Sequence, residues 1–243
     1  MILLAGWALG VAAGTLHAET EKNKDWNYGA ERGPDHWAEI DPGFATCRTG
    51  QHQSPVDISG DVVVERVPVS FNYKAGPASI VNLGHTLQIN VAPGSVLRFA
   101  DETYELLQFH FHTPSENTFN GTHYPLEIHL VHRSEAGRLA VISLMVEPGA
   151  EGPIDDLPQP EHEGSSEALT TPLDPTVLLP DDRGYVAFEG SLTTPPCSEG
   201  VQWIVMRSQM FAEQETLSHI AAMLGQTNRP TQPLNGRILR ASE

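Results

Sequence analysis

Apolar and polar residues alternate in short runs along most of the chain, from about Val56 onward. Alternation of this kind predicts strands with one buried face, and Gly, Pro and Asn separate the runs. The predicted strands are Val67–Tyr73, His85–Val91, Ser95–Phe99, Tyr104–His112, Leu126–His132, Leu139–Val146, Tyr185–Gly190 and Val201–Arg207. Only Ser208–Leu224 has apolar positions at helical spacing, and Gly225 follows as a stop signal. The pattern predicts a mainly β (α+β) domain with one or a few helices.

The first 18 residues differ in character from the rest of the chain. Ile2–Leu16 is almost wholly apolar, and the small residue Ala18 follows at a position that suits cleavage. This is typical of a secretory signal peptide over residues 1–18, although Lys and Arg are missing from its start. An apolar N-terminal helix is the alternative, and the stretch is short for a membrane span. No linker or internal repeat divides the remainder, so residues 19–243 are predicted to form one domain.

Acidic residues dominate the charge of the chain. It contains 31 Asp and Glu against 14 Lys and Arg, a formal net charge of -17. Such a surface disfavours nucleic acids and anionic membranes as partners. The excess of acidic over basic residues is greatest in residues 147–182, which contain ten acidic residues, seven Pro and no Lys or Arg. We interpret this acidic segment as a solvated excursion with little regular structure, docked through Val177–Leu179, and an acidic interaction loop is the alternative.

The chain has two cysteines, Cys47 and Cys197. An exported chain would pair them in an oxidising compartment, so a disulfide is predicted, with two unrelated buried thiols as the alternative. The chain-entropy model assigns a disulfide that closes so long a loop about 4–5 kcal/mol of stability. The signal peptide and the disulfide together predict a periplasmic or secreted protein. Monomer and homodimer both stay open at this point.

Three histidines on two neighbouring predicted strands carry the strongest chemical signal. His110 and His112 are two residues apart, so their side chains share one face of a strand, and His129 on the next strand can complete the set. Three imidazoles leave one position of a tetrahedral zinc open, as in catalytic zinc sites. Gln108 shares the face of His110 and Glu127 that of His129, so each can orient a ligand ring.

Several short motifs accompany the histidines in a fixed order between residues 33 and 230, and the resemblance that they carry covers nearly all of residues 19–243. They are GPDHW (33–37), QSPVDI (53–58), GH (84–85), QFHFH (108–112), SEN (115–117), EIHLVH (127–132), SLTTPP (191–196) and NRP (228–230). In these motifs the chain resembles the α-class carbonic anhydrases, and its HFHTPSEN and SLTTPPC segments resemble their exported bacterial branch. An HxH pair alone is weak evidence, whereas this many motifs in order is highly specific. The resemblance also implies cis peptide bonds before Pro55 and Pro196.

The resemblance implies both a fold and a reaction. The expected fold is a single domain with a large twisted, mostly antiparallel central sheet, short peripheral helices and zinc at the base of a conical cleft. The expected reaction is the reversible hydration of carbon dioxide to bicarbonate and a proton by attack of zinc hydroxide. His110, His112 and His129 are then the zinc ligands. Sulfonamides and anions are the implied inhibitors, and the same hydroxide could attack an activated ester.

The resemblance also assigns roles to residues around the zinc. Thr193 accepts a hydrogen bond from the hydroxide and donates one to Glu116, while Thr194 holds neighbouring water. His85 matches the position of the proton shuttle, which suits an imidazole because its ordinary pKa lies near 6.5. Carbon dioxide has little polarity and needs an apolar wall beside the hydroxide. That wall is expected at Val131, Val141, Leu192 and Trp203.

Two other interpretations stay open in the sequence. His110, His112 and Glu116 spell HxHxxxE, which resembles the first metal motif of the cupins. Glu116 would then be a ligand, and iron or manganese would replace zinc. The second alternative is a binding module of the same family, although the chain keeps all three histidines, Thr193 and Glu116. The remaining histidines are predicted to be structural (His36, His52, His132) or solvent-facing (His123, His162, His219).

Overall fold

A mixed β-sheet of 13 strands forms the centre of the structure, a computed structural model that describes residues 26–242. The strands are β1 (Asp57–Ile58), β2 (Val63–Val64), β3 (Val69–Asn72), β4 (Ala78–Asn82), β5 (Leu87–Val91), β6 (Val96–Phe99), β7 (Glu102–His112), β8 (Thr118–Phe119), β9 (Leu126–Ser134), β10 (Leu139–Pro148), β11 (Ser166–Ala168), β12 (Tyr185–Ser191), β13 (Glu199–Met206), β14 (Met210–Ala212) and β15 (Arg240–Ala241). The order along the sheet is β11-β4-β5-β7-β9-β10-β13-β12-β15-β2, with β6 pairing β7 and β3, and β14 pairing β10. β1 and β8 form a separate parallel pair.

Most neighbouring strands of the sheet run antiparallel. The parallel pairs of this sheet, within residues 26–242, are β10 with β13, β10 with β14, and β15 with β2. The helices are short: α1 (Trp37–Ile40), α2 (Thr46–Thr49) and α3 (Gln214–Leu224), with 3₁₀ turns at Pro42–Phe44 and Pro175–Leu178. The predicted mainly β fold with short helices is confirmed. No helix in the described part of the chain has the length and apolar character needed to cross a bilayer.

All eight predicted strands are present, and their ends differ from the predicted ends by no more than two residues. Five strands of the main sheet were not predicted: β4 and the two- or three-residue strands β2, β11, β14 and β15. β4 is the longest of them. Its residues alternate between buried and half-buried positions, but the strand is short and contains Ser79 and Asn82, which weaken the apolar signal. Its antiparallel pairing with β5 stabilises this strand, although its own sequence gives only a weak strand signal.

The predicted start of the helix is wrong. Residues 208–213 are not helical, because Met210–Ala212 forms β14 beside the end of β10, and α3 begins at Gln214. Met210 and Ala212 are buried, while Phe211 between them is 49% exposed. Apolar residues in so short a run fit both a strand and a helix, and the available edge of β10 decides between them.

Side chains on the two faces of the sheet form separate apolar clusters. Leu130 and Ile142 belong to the larger cluster, which also contains the buried residues of α3. Val141 and Trp203 belong to the smaller cluster, on the face that carries the triad of histidines. Because side chains alternate along β9 and β10, the same strands fill a core on one side and line a site on the other.

The acidic segment has little regular structure, as predicted. Its regular elements are β11, which pairs with β4, and the 3₁₀ turn Pro175–Leu178. Leu178 and Leu179 are buried, whereas Val177 is exposed, so the predicted docking holds for two of the three residues. The predicted signal peptide, residues 1–18, lies outside the described residues.

Cys47 and Cys197 form the predicted disulfide, with an S–S distance of 2.05 Å. The peptide bonds Ser54–Pro55 and Pro195–Pro196 are cis, as the resemblance implies, and Thr113–Pro114 is cis as well. Cys197 directly follows Pro196, so the disulfide ties the β12–β13 loop to α2. A disulfide is consistent with folding in an oxidising compartment.

His132 and Tyr73 form a buried polar pair inside the larger core. The Tyr73 hydroxyl donates to Nε2 of His132 at 2.8 Å, and Nδ1 of His132 lies 3.3 Å from the carbonyl oxygen of Ala140. His132 is fully buried, which agrees with its predicted structural role. Burial lowers the pKa of His132 to about 4, although the carbonyls of Ala140 and Leu130 oppose the shift.

The protein should therefore lose stability as the pH falls from about 6.5 to about 4. In this window the unfolded chain binds a proton at His132 and the folded protein does not, so acid favours unfolding. His132→Gln cannot titrate and should reduce the loss of unfolding free energy between pH 7 and pH 4.5 by about 2 kcal/mol. Urea unfolding of the metal-free proteins measures this. The exposed His219→Gln should behave as wild type, and an unchanged pH dependence in His132→Gln would contradict the assignment.

Candidate metal centre

The pairing of β7 with β9 brings three histidines together. His110 lies directly opposite His129 in the antiparallel register, and His112 lies two residues further along β7 on the same face. One nitrogen from each ring lies within 4.8 Å of the corresponding nitrogens of the other two. The three-imidazole face predicted from the alternation of the two strands is thus present in the structure.

A β-bulge in β7 lets this strand serve both faces of the sheet. The register with β9 shifts between Leu106 and Gln108, which leaves Leu107 as an extra residue. Leu106 before the bulge and Phe109 after it both belong to the larger core. Without the extra residue, one of them would point to the opposite face. The bulge therefore combines a continuous core with a polar face that carries His110.

The second nitrogen of each ring is held by a hydrogen bond that fixes the tautomer. The pairs are His110 Nδ1 with Gln108 Oε1 at 2.9 Å, His112 Nδ1 with the Thr227 carbonyl oxygen at 2.7 Å, and His129 Nε2 with Glu127 Oε1 at 2.8 Å. Each acceptor accepts a hydrogen bond from the N–H of its ring, so in the neutral ring the nitrogen that faces the centre carries no proton. Two rings present Nε2 to the centre, and His129 presents Nδ1.

The donor set fits zinc. Nε2 of His112 is buried and has no hydrogen-bond partner among the described residues, which is the expected state of a nitrogen kept for a metal. Burial lowers the pKa of His110 and of His112, so both rings stay neutral at physiological pH. Neutral imidazole is the form that binds zinc, and three such ligands leave one position open.

Glu127 anchors the centre from behind. Its carboxylate accepts hydrogen bonds from His129 Nε2, from the Ser143 hydroxyl at 2.5 Å, from the Asn117 side chain at 2.7 Å, and from the backbone N–H groups of Glu116 and Asn117. Burial alone would raise its pKa, but His129 and these hydrogen bonds lower the pKa to about 2. Glu127 is thus an anion at all working pH values, which holds a proton on the far side of the His129 ring.

Glu116 lies between the triad and the β12–β13 loop. Its Oε1 accepts the backbone N–H of Arg229 at 2.9 Å, and its Oε2 lies 3.6 Å from Nε2 of His112. Burial raises its pKa to about 7, against the lowering effects of His129, the Arg229 N–H and the Thr193 hydroxyl. Thr193 is almost fully buried, at 6% exposure, and Oε2 of Glu116 is buried without a hydrogen-bond partner among the described residues, so both groups lie in a dry environment beside the triad.

The four residues predicted to form an apolar wall lie together on the site face. They are Val131, Val141, Leu192 and Trp203, all in or against the smaller apolar cluster. Val131 pairs directly with Val141 across β9 and β10, and the Trp203 ring packs edge-on to His129 with centroids 4.9 Å apart. Trp203 is fixed by donating from Nε1 to the Ser191 carbonyl oxygen at 3.0 Å. Thr194 is half-buried in the adjoining loop.

His85 lies outside the triad, in the loop between β4 and β5. Its half-buried ring packs edge-on to Trp26 with centroids 5.0 Å apart, and its Nδ1 lies 3.1 Å from the Leu83 carbonyl oxygen. It lines a cavity of about 570 Å³ together with Trp26 and Thr227. The same Thr227 accepts the His112 hydrogen bond, so this cavity adjoins the metal centre.

The family model of the eukaryotic-type carbonic anhydrases matches residues 32–243. The chain belongs to the α-carbonic anhydrase family. A carbonic anhydrase of Pectobacterium carotovorum is 41% identical over 218 residues, which are 88% of this chain and 89% of the relative. The solved α-carbonic anhydrase of Photobacterium profundum is 41% identical with a TM-score of 0.83, over 89% of this chain and 100% of its own. That of Thermovibrio ammonificans, solved with the inhibitor sulfanilamide, is 40% identical with a TM-score of 0.85, over 88% and 98% of the two chains.

The reaction of the chain is therefore that of a carbonic anhydrase, the reversible hydration of carbon dioxide, and its metal is zinc at His110, His112 and His129. The cupin alternative is wrong. Glu116 is not part of the group of ligand atoms and is held by Arg229, and the whole fold matches α-carbonic anhydrases.

Arg229 is a residue of this carbonic anhydrase site whose role was not predicted from the sequence. It is 2% exposed, and its guanidinium donates to Gln53 Oε1 and to the Ser54 and Cys47 carbonyl oxygens at 2.8–2.9 Å. Its backbone N–H holds Glu116. Arg229 thus joins the disulfide region to the metal centre. Its place in the NRP motif was its only signal in the sequence, and this motif does not indicate which residues Arg229 contacts.

Five other histidines of the described residues lie at the surface of this carbonic anhydrase. His123, His162 and His219 are exposed, as predicted. His36 and His52, predicted as structural, have side chains that are 46% and 45% exposed, so they do not fill the core. Their Nδ1 atoms pair with Glu39 and Glu189, each at 3.1 Å, because acidic partners lie nearby on the surface.

Proposed function

We propose that the catalytic work around the zinc is divided among Thr193, Glu116, His85 and an apolar wall. Zinc, when bound, supplies a Lewis acid that makes hydroxide available at neutral pH, an effect for which carbonic anhydrase is itself the standard example. The observation that carries the proposal is the orientation of the triad. All three outward nitrogens are hydrogen-bonded, and the three inward nitrogens lie within 4.8 Å of one another.

Thr193 and Glu116 orient the nucleophile. The backbone N–H of Arg229 holds the Glu116 carboxylate, and the Thr193 hydroxyl lowers its pKa, so this carboxylate is proposed to accept a hydrogen bond from the Thr193 hydroxyl. A Thr193 hydroxyl that donates its hydrogen bond to Glu116 has no second proton to donate. It can therefore only accept a hydrogen bond from any other neighbouring group. With zinc held by the triad, the pair would favour a neighbouring ligand that has a proton to donate over one that has none. Thr194, next in the loop, is proposed to hold neighbouring water.

The apolar wall receives carbon dioxide. Val131, Val141, Leu192 and Trp203 present hydrocarbon and an aromatic edge beside His129. A substrate with little polarity gains from leaving water at such a surface, whereas bicarbonate, which is charged, does not. This difference favours the exchange of product for water after the reaction.

His85 is proposed to export the proton. It is half-buried in a cavity that adjoins the metal centre through Thr227, and it lies outside the group of metal-binding atoms. An imidazole there can take a proton through intervening water and pass it to buffer. Gln108 and Glu127 act one step further out, by keeping His110 and His129 in the metal-binding tautomer.

Export, processing and inhibition are also proposed. Residues 1–18 are removed as a signal peptide, and residues 19–243 act in the periplasm or outside the cell, which the disulfide supports. Sulfonamides and simple anions are proposed to bind at the zinc. The structure of the Thermovibrio ammonificans relative with the inhibitor sulfanilamide supports this proposal. A sulfonamide anion keeps one N–H, which can donate a hydrogen bond to the Thr193 hydroxyl oxygen.

His85→Ala should slow net hydration about tenfold and leave the exchange of label between carbon dioxide and bicarbonate at equilibrium unchanged. Net hydration needs proton export, whereas equilibrium exchange does not, so the two assays separate export from attack. Loss of a positioned proton-transfer group lowers a rate about 10²-fold or more where no other base takes its place. In this assay, buffer bases take over part of the proton transfer, so the expected loss is smaller. Imidazole added to the assay should restore part of the lost rate.

The matched control is His162→Ala, an exposed histidine that lies outside the lining of this cavity. It should leave both assays unchanged. If His85→Ala damages exchange and net hydration equally, without rescue by imidazole, then His85 holds the structure of the cleft and another group exports the proton.

A further inference from the structure

The carboxylate of Glu163 lies at the rim of the cavity that contains His85. Its two oxygens are 2.9 and 3.0 Å from the position that a β-carbon on Gly84 would occupy. Gly84 directly precedes His85, and all three residues line the same cavity. Gly84 has a φ of +81°, so glycine serves both the backbone turn and the close approach of this side chain. An anion is therefore seated against the residue next to His85.

Hydrogen bonds hold the backbone of this part of the acidic segment, although Glu163 itself is exposed. The N–H of Gly164 donates to the Asn82 carbonyl oxygen at 2.8 Å, and the N–H of Asn82 donates to the Ser165 carbonyl oxygen at 3.0 Å. The buried Asn82 side chain also accepts the N–H of Gly84 at 2.7 Å. One asparagine thus fixes both the segment that carries Glu163 and the loop that leads to His85.

Few ionisable groups face this cavity. Among the described residues that line it, the ionisable ones are Tyr28, His85 and Glu163. Burial and the nearby Glu116 raise the pKa of Tyr28 well above its ordinary value, so Tyr28 stays neutral. Glu163 is therefore the one anion of the described lining at neutral pH.

Among the described residues outside the lining, Glu116 and Arg229 act electrostatically on Tyr28 and belong to the buried contacts beside the metal centre. Glu161 and His162 precede Glu163 on the same segment and are exposed. His110 belongs to the metal centre, and its pKa is lowered by burial and by the neighbouring imidazoles, including His85. No Lys or Arg lies in the acidic segment to neutralise the carboxylate.

We propose that Glu163 is the counter-charge of His85 in proton export, an inference that rests on the proposed shuttle role of His85. When His85 accepts a proton from the water chain it becomes an imidazolium, and a carboxylate at the rim stabilises that cation. The proton then passes from the imidazolium to a buffer base, and neutral His85 is restored. Glu163 touches no reacting atom and is a positioning residue that acts through His85.

Glu163→Gln tests this with two readouts. In the metal-free protein, the titration midpoint of the His85 ring, followed by NMR of labelled histidine, should fall by roughly 0.2–0.7 pH units, the range of solvent-exposed charge pairs. In the zinc enzyme at low buffer concentration, net hydration should slow by roughly two- to fivefold, with equilibrium exchange unchanged. Glu163→Asp keeps the charge, so its His85 midpoint and its rate of net hydration should both return most of the way to the wild-type values.

Glu167→Gln is the matched control. It removes the same charge from the same segment, but Glu167 lies in β11 and outside the cavity lining. An identical His85 midpoint in Glu163→Gln, Glu167→Gln and wild type would overturn the inference. If Glu163→Gln moves the midpoint while His85→Ala leaves net hydration intact, the pairing of Glu163 with His85 is supported and the shuttle assignment is what fails.

Discussion

Replacing His129 with alanine is expected to remove the zinc and to lower kcat/KM for carbon dioxide hydration by more than about a hundredfold. Loss of a partner behind a metal ligand already costs about 10- to 100-fold in metal affinity or activity, and loss of the ligand itself should exceed that. His129 also supports Glu127, whose low pKa depends on that ring. Removing it leaves a buried carboxylate with one partner fewer, so the free energy of unfolding should fall as well.

Metal analysis of the purified protein and stopped-flow hydration measure this result, with circular dichroism to confirm that the variant is folded. The control is His219→Ala, an exposed histidine of α3 far along the chain from the triad, which should keep one zinc and full activity. A His129→Ala protein that retains zinc and wild-type hydration would show that the ligand set has been assigned wrongly.

The triad itself could be predicted because it depends only on the geometry of adjacent strands. His110 and His112 share a face by alternation, and Glu127 shares the face of His129 for the same reason. The hydrogen bonds from these strands to the rings follow directly. The third support could not be predicted, since His112 is held by the backbone carbonyl of Thr227, 115 positions away. Any residue type provides such a carbonyl, so no sequence pattern marks it.

The same limit applies to the bulge at Leu107 and to the contacts of the acidic segment. A bulge changes which residues share a face, and its position depends on how β7 pairs with β9. Likewise, Glu163 reaches the loop before His85 only because Asn82 binds the backbone of residues 164 and 165. Composition correctly predicted a solvated acidic segment, but it gave no indication of which carboxylate would lie beside a histidine.

Thr193→Val should lower kcat/KM for hydration by about a hundredfold while leaving the zinc content at one per chain. Valine fills nearly the same space but can neither accept nor donate a hydrogen bond, and loss of one positioned polar contact in a transition state costs about 10²–10³-fold. The Glu116 carboxylate would also lose a hydroxyl that lowers its pKa, so it would bind a proton more readily. Sulfanilamide should bind this variant about tenfold more weakly, because one hydrogen bond to its anion is lost.

Thr193→Ser separates the hydroxyl from the shape of the side chain. It keeps the donor and the acceptor and gives up only a methyl group, so hydration and sulfanilamide affinity should stay within a few-fold of wild type. The triad lies on β7 and β9, whereas Thr193 follows β12, so zinc retention should be the same in both variants. That contrast with His129→Ala distinguishes a residue that orients the nucleophile from one that holds the metal. Wild-type hydration and inhibitor affinity in Thr193→Val would remove the Thr193–Glu116 pair from the mechanism and leave the apolar wall to position the reactants.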